Sequence, residues 1–332
     1  MKIAMFGTKP YDRNYFNQVN KQYQFDITYF EPRLTEDTCT LATTFPTVCL
    51  FVNDHLTAEV AQYLGETGTQ LIALRCAGFN NVNLKAVHDQ GMKVVRVPAY
   101  SPHAVAEHTL ALILTLNRKV HRSYNRVREG NFALDGLLGF DLYSRTIGVI
   151  GTGKIGEIFA SIMIGLGCKV VAYDPYPNPA CEQMGVEYTD LDNLLQQSDV
   201  ISLHCPLVPQ TKHIINQESI SKMKDGAMLI NTSRGALIDT RAVIDGLKDH
   251  KIGYLGLDVY EEEDKFFFEN RSEEVLEDDV FARLLTFPNV VITGHQAFFT
   301  HNAMHNIAET TLQNIYEFDQ GMPLTNEVKV SK

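Results

Sequence analysis

Residues 146–175 restrict what this chain can fold into more than any other stretch. Ile147, Val149 and Ile150 form a short β-branched run, and Gly151, Gly153 and Gly156 follow in the spacing G-x-G-x-x-G that opens a helix. The first glycine permits the tight turn, the second lets backbone approach a pyrophosphate, and the third lets the helix pack on the strand. A helical run from Glu157 to Leu166 stops at Gly167, and a second strand, Lys169 to Tyr173, ends at Asp174. In a βαβ unit that carboxylate stands where the adenosine ribose hydroxyls would lie, and it would repel the 2′-phosphate of NADP. NAD is the expected cofactor.

Length predicts about two domains for 332 residues. The net charge of -11, without a lysine or arginine block, argues against a nucleic-acid partner, which needs a basic face, and none is expected. The start, Met1 to Pro10, reads as a first strand rather than a signal segment, and the longest apolar run, Leu110 to Leu116, is far below membrane-spanning length. Six cysteines without a C-x-x-C pair suit reduced thiols and a cytoplasmic location. His103 and Glu107 share a helix face, but no third ligand accompanies them; the expectation is a hydrogen-bonded interior or interface pair, and no metal.

Strand-like segments recur between helical intervals at Ile3–Phe6, Phe25–Phe30, Val48–Val52, Leu71–Arg75 and Val94–Val97, and again, beyond the glycine turn, at Val200–His204, Met228–Asn231, Tyr254–Val259 and Val290–Thr293. Two successive βαβ-rich units define an α/β fold. In the first unit, the loop Cys76–Asn81 follows a strand end, where open sheets place ligands; it is either an anion-holding loop or a plain turn. Pro102 opens a helix whose residues Ala104–Asn117 are apolar on most faces, which predicts burial between layers or subunits and points to a dimer. Arg118–Gly139 reads as an irregular crossing. A last helix carries Met304, Ile307, Ala308, Thr311, Leu312, Ile315 and Tyr316 on one side and stops near Gly321.

Three strand ends hold reactive groups. In Leu229–Gly235 an apolar strand stops on polar residues and Arg234, whose planar guanidinium suits a carboxylate, with a surface ion pair as the alternative. The acidic run Glu261-Glu262-Glu263 follows Asp258, and spacing alone does not rank the three. His295 follows the strand Val290–Thr293. A hydride transfer to a keto acid needs a carboxylate clamp, a proton donor and an acid that orients the donor, and arginine, histidine and glutamate are that set.

Gly-Thr-Gly-Lys-Ile-Gly at 151–156, Asn-Thr-Ser-Arg-Gly at 231–235, Asp-Val-Tyr-Glu-Glu-Glu at 258–263 and Gly-His-Gln-Ala-Phe at 294–298 resemble the signatures of the D-2-hydroxyacid dehydrogenase family over essentially the whole chain. The segments 74–82, 97–102 and 202–207 are similar to its fermentative, lactate-forming subset. The resemblance implies a doubly wound NAD-binding Rossmann domain at 101–299 and a flavodoxin-like substrate domain formed by both chain ends, 1–100 and 300–332. It implies reduction of pyruvate to D-lactate, in a homo-oligomer (dimer or tetramer), with Arg234 binding the carboxylate, His295 as acid/base and Glu263 hydrogen-bonded to it. Lys154, Ile155, Asp174, Cys205, Pro206, Thr211, Thr232, Ser233 and Asp258 would line the NAD site with the glycine turn. Tyr100 and Phe298 would bound the substrate side chain, and the loop around Gly78 would offer backbone N–H groups. Many members place proline after the catalytic glutamate; here Asp264 begins an acidic insertion to about Asp279, as in the lactate subset. The alternatives are a dehydrogenase of another D-2-hydroxy acid and an NAD-sensing, corepressor-like binding protein, the latter expected to carry extra tails.

Overall fold

The computed structural model describes residues 1–329; the last three positions of the expected 300–332 segment lie outside them. The chain divides into two compact units, Met1–Ser101 with Phe298–Lys332, and Pro102–Ala297.

In the first unit, strands β1 (Lys2–Met5), β2 (Asp26–Tyr29), β3 (Thr47–Leu50), β4 (Leu71–Leu74) and β5 (Lys93–Val95) make a parallel sheet in the order β2-β1-β3-β4-β5. That is the flavodoxin-like order. β3 and β4 are buried along their whole lengths, as a sheet covered on both faces requires. The C-terminal helix, His301–Asp319, packs on helix Pro10–Asn20 and on β4, burying Met304, Ile307, Ala308, Thr311, Leu312 and Ile315. Its stop is Gly321, in the left-handed region at φ 64.

In the second unit, β6 (Thr146–Ile150), β7 (Lys169–Tyr173), β8 (Glu187–Tyr188), β9 (Val200–Leu203), β10 (Ala227–Asn231), β11 (Ile252–Leu257) and β12 (Val290–Ile292) form a seven-stranded parallel sheet, ordered β12-β11-β10-β9-β6-β7-β8. The order reverses between β6 and β9, which makes it doubly wound with its switch point there. Alternate residues feed two cores. Ile150, Ile201, Leu203 and Leu229 face one, and Ile147, Val149, Val200, Met228 and Ile230 the other. The second core also takes Ala106, Leu112, Ile113 and Leu116 from helix Pro102–Arg118.

The apolar helix after Pro102 packs between the layers of its own unit, the first of its two expected settings. One expectation needs correction. The segment expected to be an irregular crossing contains helix Val120–Arg128, whose apolar stripe of Val120, Tyr124 and Val127 is short, set among charges and exposed in place of buried.

Candidate active site

The glycine turn lies at the switch point of the seven-stranded sheet, where open α/β sheets bind ligands. Gly151 adopts φ +96, and a Cβ on it would come within 2.6 Å of the Cys205 backbone nitrogen; a Cβ on Gly156 would lie 2.0 Å from the Gly151 carbonyl oxygen. Packing of β6 and β9 under the turn therefore demands both. Gly153 differs. It caps helix Lys154–Gly165 in extended backbone, and a Cβ there would meet nothing within 4 Å. Open space above the N-terminus of a twelve-residue helix, with unpaired N–H groups and a favourable dipole, fits a pyrophosphate. Lys154 is exposed and Ile155 half-buried in that first turn.

Around this turn the structure gathers the other expected cofactor residues of the unit. Asp174, after β7, accepts hydrogen bonds from the Thr152 amide (2.7 Å) and hydroxyl (3.2 Å) and from the Tyr176 amide (2.9 Å). It both shapes the turn and keeps a negative charge beside it. His204 and Cys205 follow β9 under Gly151; burial drives the His204 imidazole down to about 3 and the Cys205 thiol up to about 11, so both are neutral. The Thr211 hydroxyl donates to the Pro206 carbonyl (2.6 Å), closing the loop after Cys205. Ser233 donates to the Cys205 carbonyl (2.8 Å), and Thr232 is buried against Thr109 (2.8 Å).

β10 ends on Asn231, whose side chain turns the backbone by accepting from the Ser233 amide (3.0 Å) and donating to the Arg234 carbonyl (2.8 Å). The half-buried Arg234 guanidinium donates to the Ser233 carbonyl (2.7 Å) and makes no ion pair with an acid among the described residues. A cation held without a counter-charge can receive a carboxylate.

Tertiary partners separate the three glutamates that spacing leaves unranked. Glu261 accepts from His213 (2.7 Å) and from the amide and hydroxyl of Thr240; Glu262 is exposed. Glu263 accepts from Nδ1 of His295 at 2.7 Å through Oε1 and from the Tyr260 amide at 2.8 Å through Oε2, with both the His295 and Glu263 side chains 15% exposed. His295 has φ 52, a left-handed conformation uncommon for a residue with a Cβ. Its amide donates to the Asp258 carbonyl (2.7 Å), and its ring lies tilted against that of Phe268 (5.6 Å).

Asp258 is fully buried. Its carboxylate accepts from the Thr293 hydroxyl (2.5 Å) and from the amides of Gln296 (2.9 Å) and Ala297 (2.8 Å). His108 approaches the same carboxylate at 3.4 Å and the Thr293 hydroxyl at 3.0 Å. Sequence reasoning named His103 and Glu107 on this helix and passed over His108, yet His103 and Glu107 are exposed and His108 points inward. The only available signal was its place one residue past Glu107, since its partner is 185 positions away.

The first unit holds the remaining predicted residues. The loop around Gly78 is pinned by Asn81, which donates to the carbonyls of Phe51 (2.9 Å) and Asp54 (2.7 Å), and by Arg96, which donates to the Ala77 carbonyl (2.9 Å) and stacks over Phe79. Tyr100 and Phe298 meet edge to face at 6.1 Å, and Phe51, unforeseen in the sequence, adds a third ring 5.9 Å from Phe298.

A glycine turn that leaves room for a pyrophosphate at a Rossmann switch point, in the same unit as a histidine-glutamate pair, belongs to a dehydrogenase that uses a nicotinamide cofactor. The family model "D-isomer specific 2-hydroxyacid dehydrogenase, NAD binding domain" matches residues 110–297. A 2-hydroxyacid dehydrogenase homolog of Haemophilus influenzae is 54% identical over 328 residues, 99% of each chain. The D-lactate dehydrogenase of Escherichia coli is 51% identical over 328 residues, 99% of this chain and 100% of that one. The structure reported in "Identification of the pyruvate reductase of Chlamydomonas reinhardtii" superposes with a TM-score of 0.93 at 47% identity, covering 98% of both chains. The chain belongs to the D-isomer specific 2-hydroxyacid dehydrogenase family, and its cofactor is NAD.

Proposed function

We propose that this chain reduces pyruvate to D-lactate, with Arg234 binding the substrate carboxylate, His295 donating the proton and Glu263 orienting His295. The observation that carries the reading is the 2.7 Å contact between His295 Nδ1 and Glu263 Oε1 in the unit where Arg234 has no acidic partner among the described residues. With Nδ1 committed to the carboxylate, Nε2 is the ring nitrogen that serves the substrate. NADH, when bound, would supply the hydride that C2 receives. Arg234 forks the carboxylate, and its charge stabilises the carbonyl oxygen as that oxygen gains electron density. His295 delivers a proton there, leaving a secondary alcohol and a neutral imidazole, which bulk solvent reprotonates. We assign Tyr100, Phe298 and the loop around Gly78 to substrate recognition. Lys154, Ile155, Asp174, Cys205, Pro206, Thr211, Thr232 and Ser233 are assigned to the cofactor, and Asp258 supports that region from the interior.

The segment after helix Pro102–Arg118 leaves Phe132, Leu134 and Leu138 74–86% exposed. A second copy covering this apolar surface makes the protein a homo-oligomer, and a single-chain mass in sedimentation would oppose that. All six cysteines are free and buried, and no helix among the described residues is long and apolar enough to cross a membrane. We place the enzyme in the cytoplasm, with no nucleic-acid or membrane partner.

A panel of 2-keto acids assayed by NADH absorbance tests the substrate. Pyruvate should have the highest kcat/KM. A longer keto acid in first place would assign another D-2-hydroxy acid, and NADH binding without turnover of any would assign a sensor.

A further inference from the structure

We infer that His108 is a positioning residue for the proton donor, acting through Thr293 and Asp258 on the loop that carries His295. The inference rests on His295 being the proton donor.

The hydrogen-bond directions are fixed by counting protons. The Thr293 hydroxyl has one hydrogen, and at 2.5 Å that hydrogen belongs to the Asp258 carboxylate. Nε2 of His108, 3.0 Å from the same hydroxyl, therefore donates to it. Asp258 in turn holds the backbone on both sides of the catalytic residue. Its carboxylate takes the amides of Gln296 and Ala297, and its own carbonyl takes the amide of His295.

Those bonds hold His295 at φ 52, which the backbone would leave if its clamps loosened. Among the described residues no lysine or arginine pairs with the fully buried Asp258; the only basic group within ion-pair distance is His108, at 3.4 Å with an 18% exposed side chain. A buried carboxylate needs several donors to stay in place. His108 holds one of those donors in place, since its own N–H bonds the Thr293 hydroxyl that donates to Asp258. The next residue, Thr109, reaches Thr232 at 2.8 Å, so the same helix also grips the strand end before Arg234.

Removing the imidazole donor should let the loop drift by a fraction of an ångström, which affects proton delivery more than ligand binding. His108→Leu should lower kcat about tenfold, with the NADH Kd and the pyruvate KM changed less than about twofold. His108→Gln, whose amide can still donate to Thr293, should recover most of the loss. Thr293→Val should resemble His108→Leu, and the double variant should be no worse than either single one, since both break one chain of bonds.

Full kcat in His108→Leu, equal losses in the Leu and Gln variants, or additive losses in the double variant would each overturn the inference. Should His108→Leu fail to fold, the Gln and Thr293→Val variants carry the same test. His295→Gln, measured in parallel, separates the two levels of argument. If it keeps pyruvate reduction, the assignment of the proton donor fails; if it is inactive while His108→Leu is fully active, only the present inference fails.

Discussion

Replacing Gly153 and Gly156 separately by alanine should divide cofactor binding from folding, because the two glycines occupy opposite surroundings in the same turn. At Gly156 the new methyl would sit 2.0 Å from the Gly151 carbonyl oxygen, a backbone atom fixed between β6 and β9. Overpacking against backbone that cannot swing aside costs about 3 kcal/mol. At about 2–4 °C per kcal/mol for a unit of this size, Tm should fall by roughly 6–12 °C. At Gly153 the methyl meets nothing within 4 Å, and φ -66 suits alanine. The loss there is a poorer helix cap, about 0.5–1 kcal/mol, or roughly 1–4 °C. The same methyl projects into the space assigned to the pyrophosphate. Losing one charge-assisted bond from backbone N–H to phosphate is worth about 1.5–3 kcal/mol, so the NADH Kd should rise about 10- to 100-fold. Differential scanning calorimetry and NADH fluorescence titration read the two effects independently. Unchanged NADH affinity in Gly153→Ala would refute the placement of the pyrophosphate.

Arg234→Gln should leave Tm within about 2 °C, since its guanidinium makes no ion pair with an acid among the described residues, while kcat/KM for pyruvate falls about 10²- to 10³-fold, which steady-state kinetics would measure. Glu263→Gln replaces the carboxylate that holds His295 Nδ1 at 2.7 Å by a neutral amide. Its kcat for pyruvate should fall about 10²-fold with the NADH Kd unchanged, and full kcat would detach Glu263 from the proton donor. Asp174→Ala should narrow the preference for NADH over NADPH about tenfold by removing the charge that opposes a 2′-phosphate, and a comparison of Kd values for the two cofactors checks it.

Much of the fold is legible because parallel strands buried on both faces advertise themselves as short apolar runs. The two-residue β8 and the helix Val120–Arg128, which buries no residue, carry no such run, and they escape sequence reading. The site is legible to the extent that its chemistry sits at strand ends, as Arg234 and His295 do. Ranking Glu261, Glu262 and Glu263 depends on partners remote in sequence, His213 and Thr240 for the first and His295 for the third. His108 is hidden for the same reason. On a helix whose composition reads as plain core, only its contact with Thr293 and Asp258 distinguishes it from a packed interior residue.

The most direct test of the account is the identity and handedness of the product. Purified protein, pyruvate and NADH should yield lactate in amounts equal to the NADH consumed, and chiral chromatography should resolve it as the D isomer, with the yield lost in His295→Gln. L-lactate, a racemate, or undiminished product from His295→Gln would contradict the assignment of His295, Glu263 and Arg234 to D-specific pyruvate reduction.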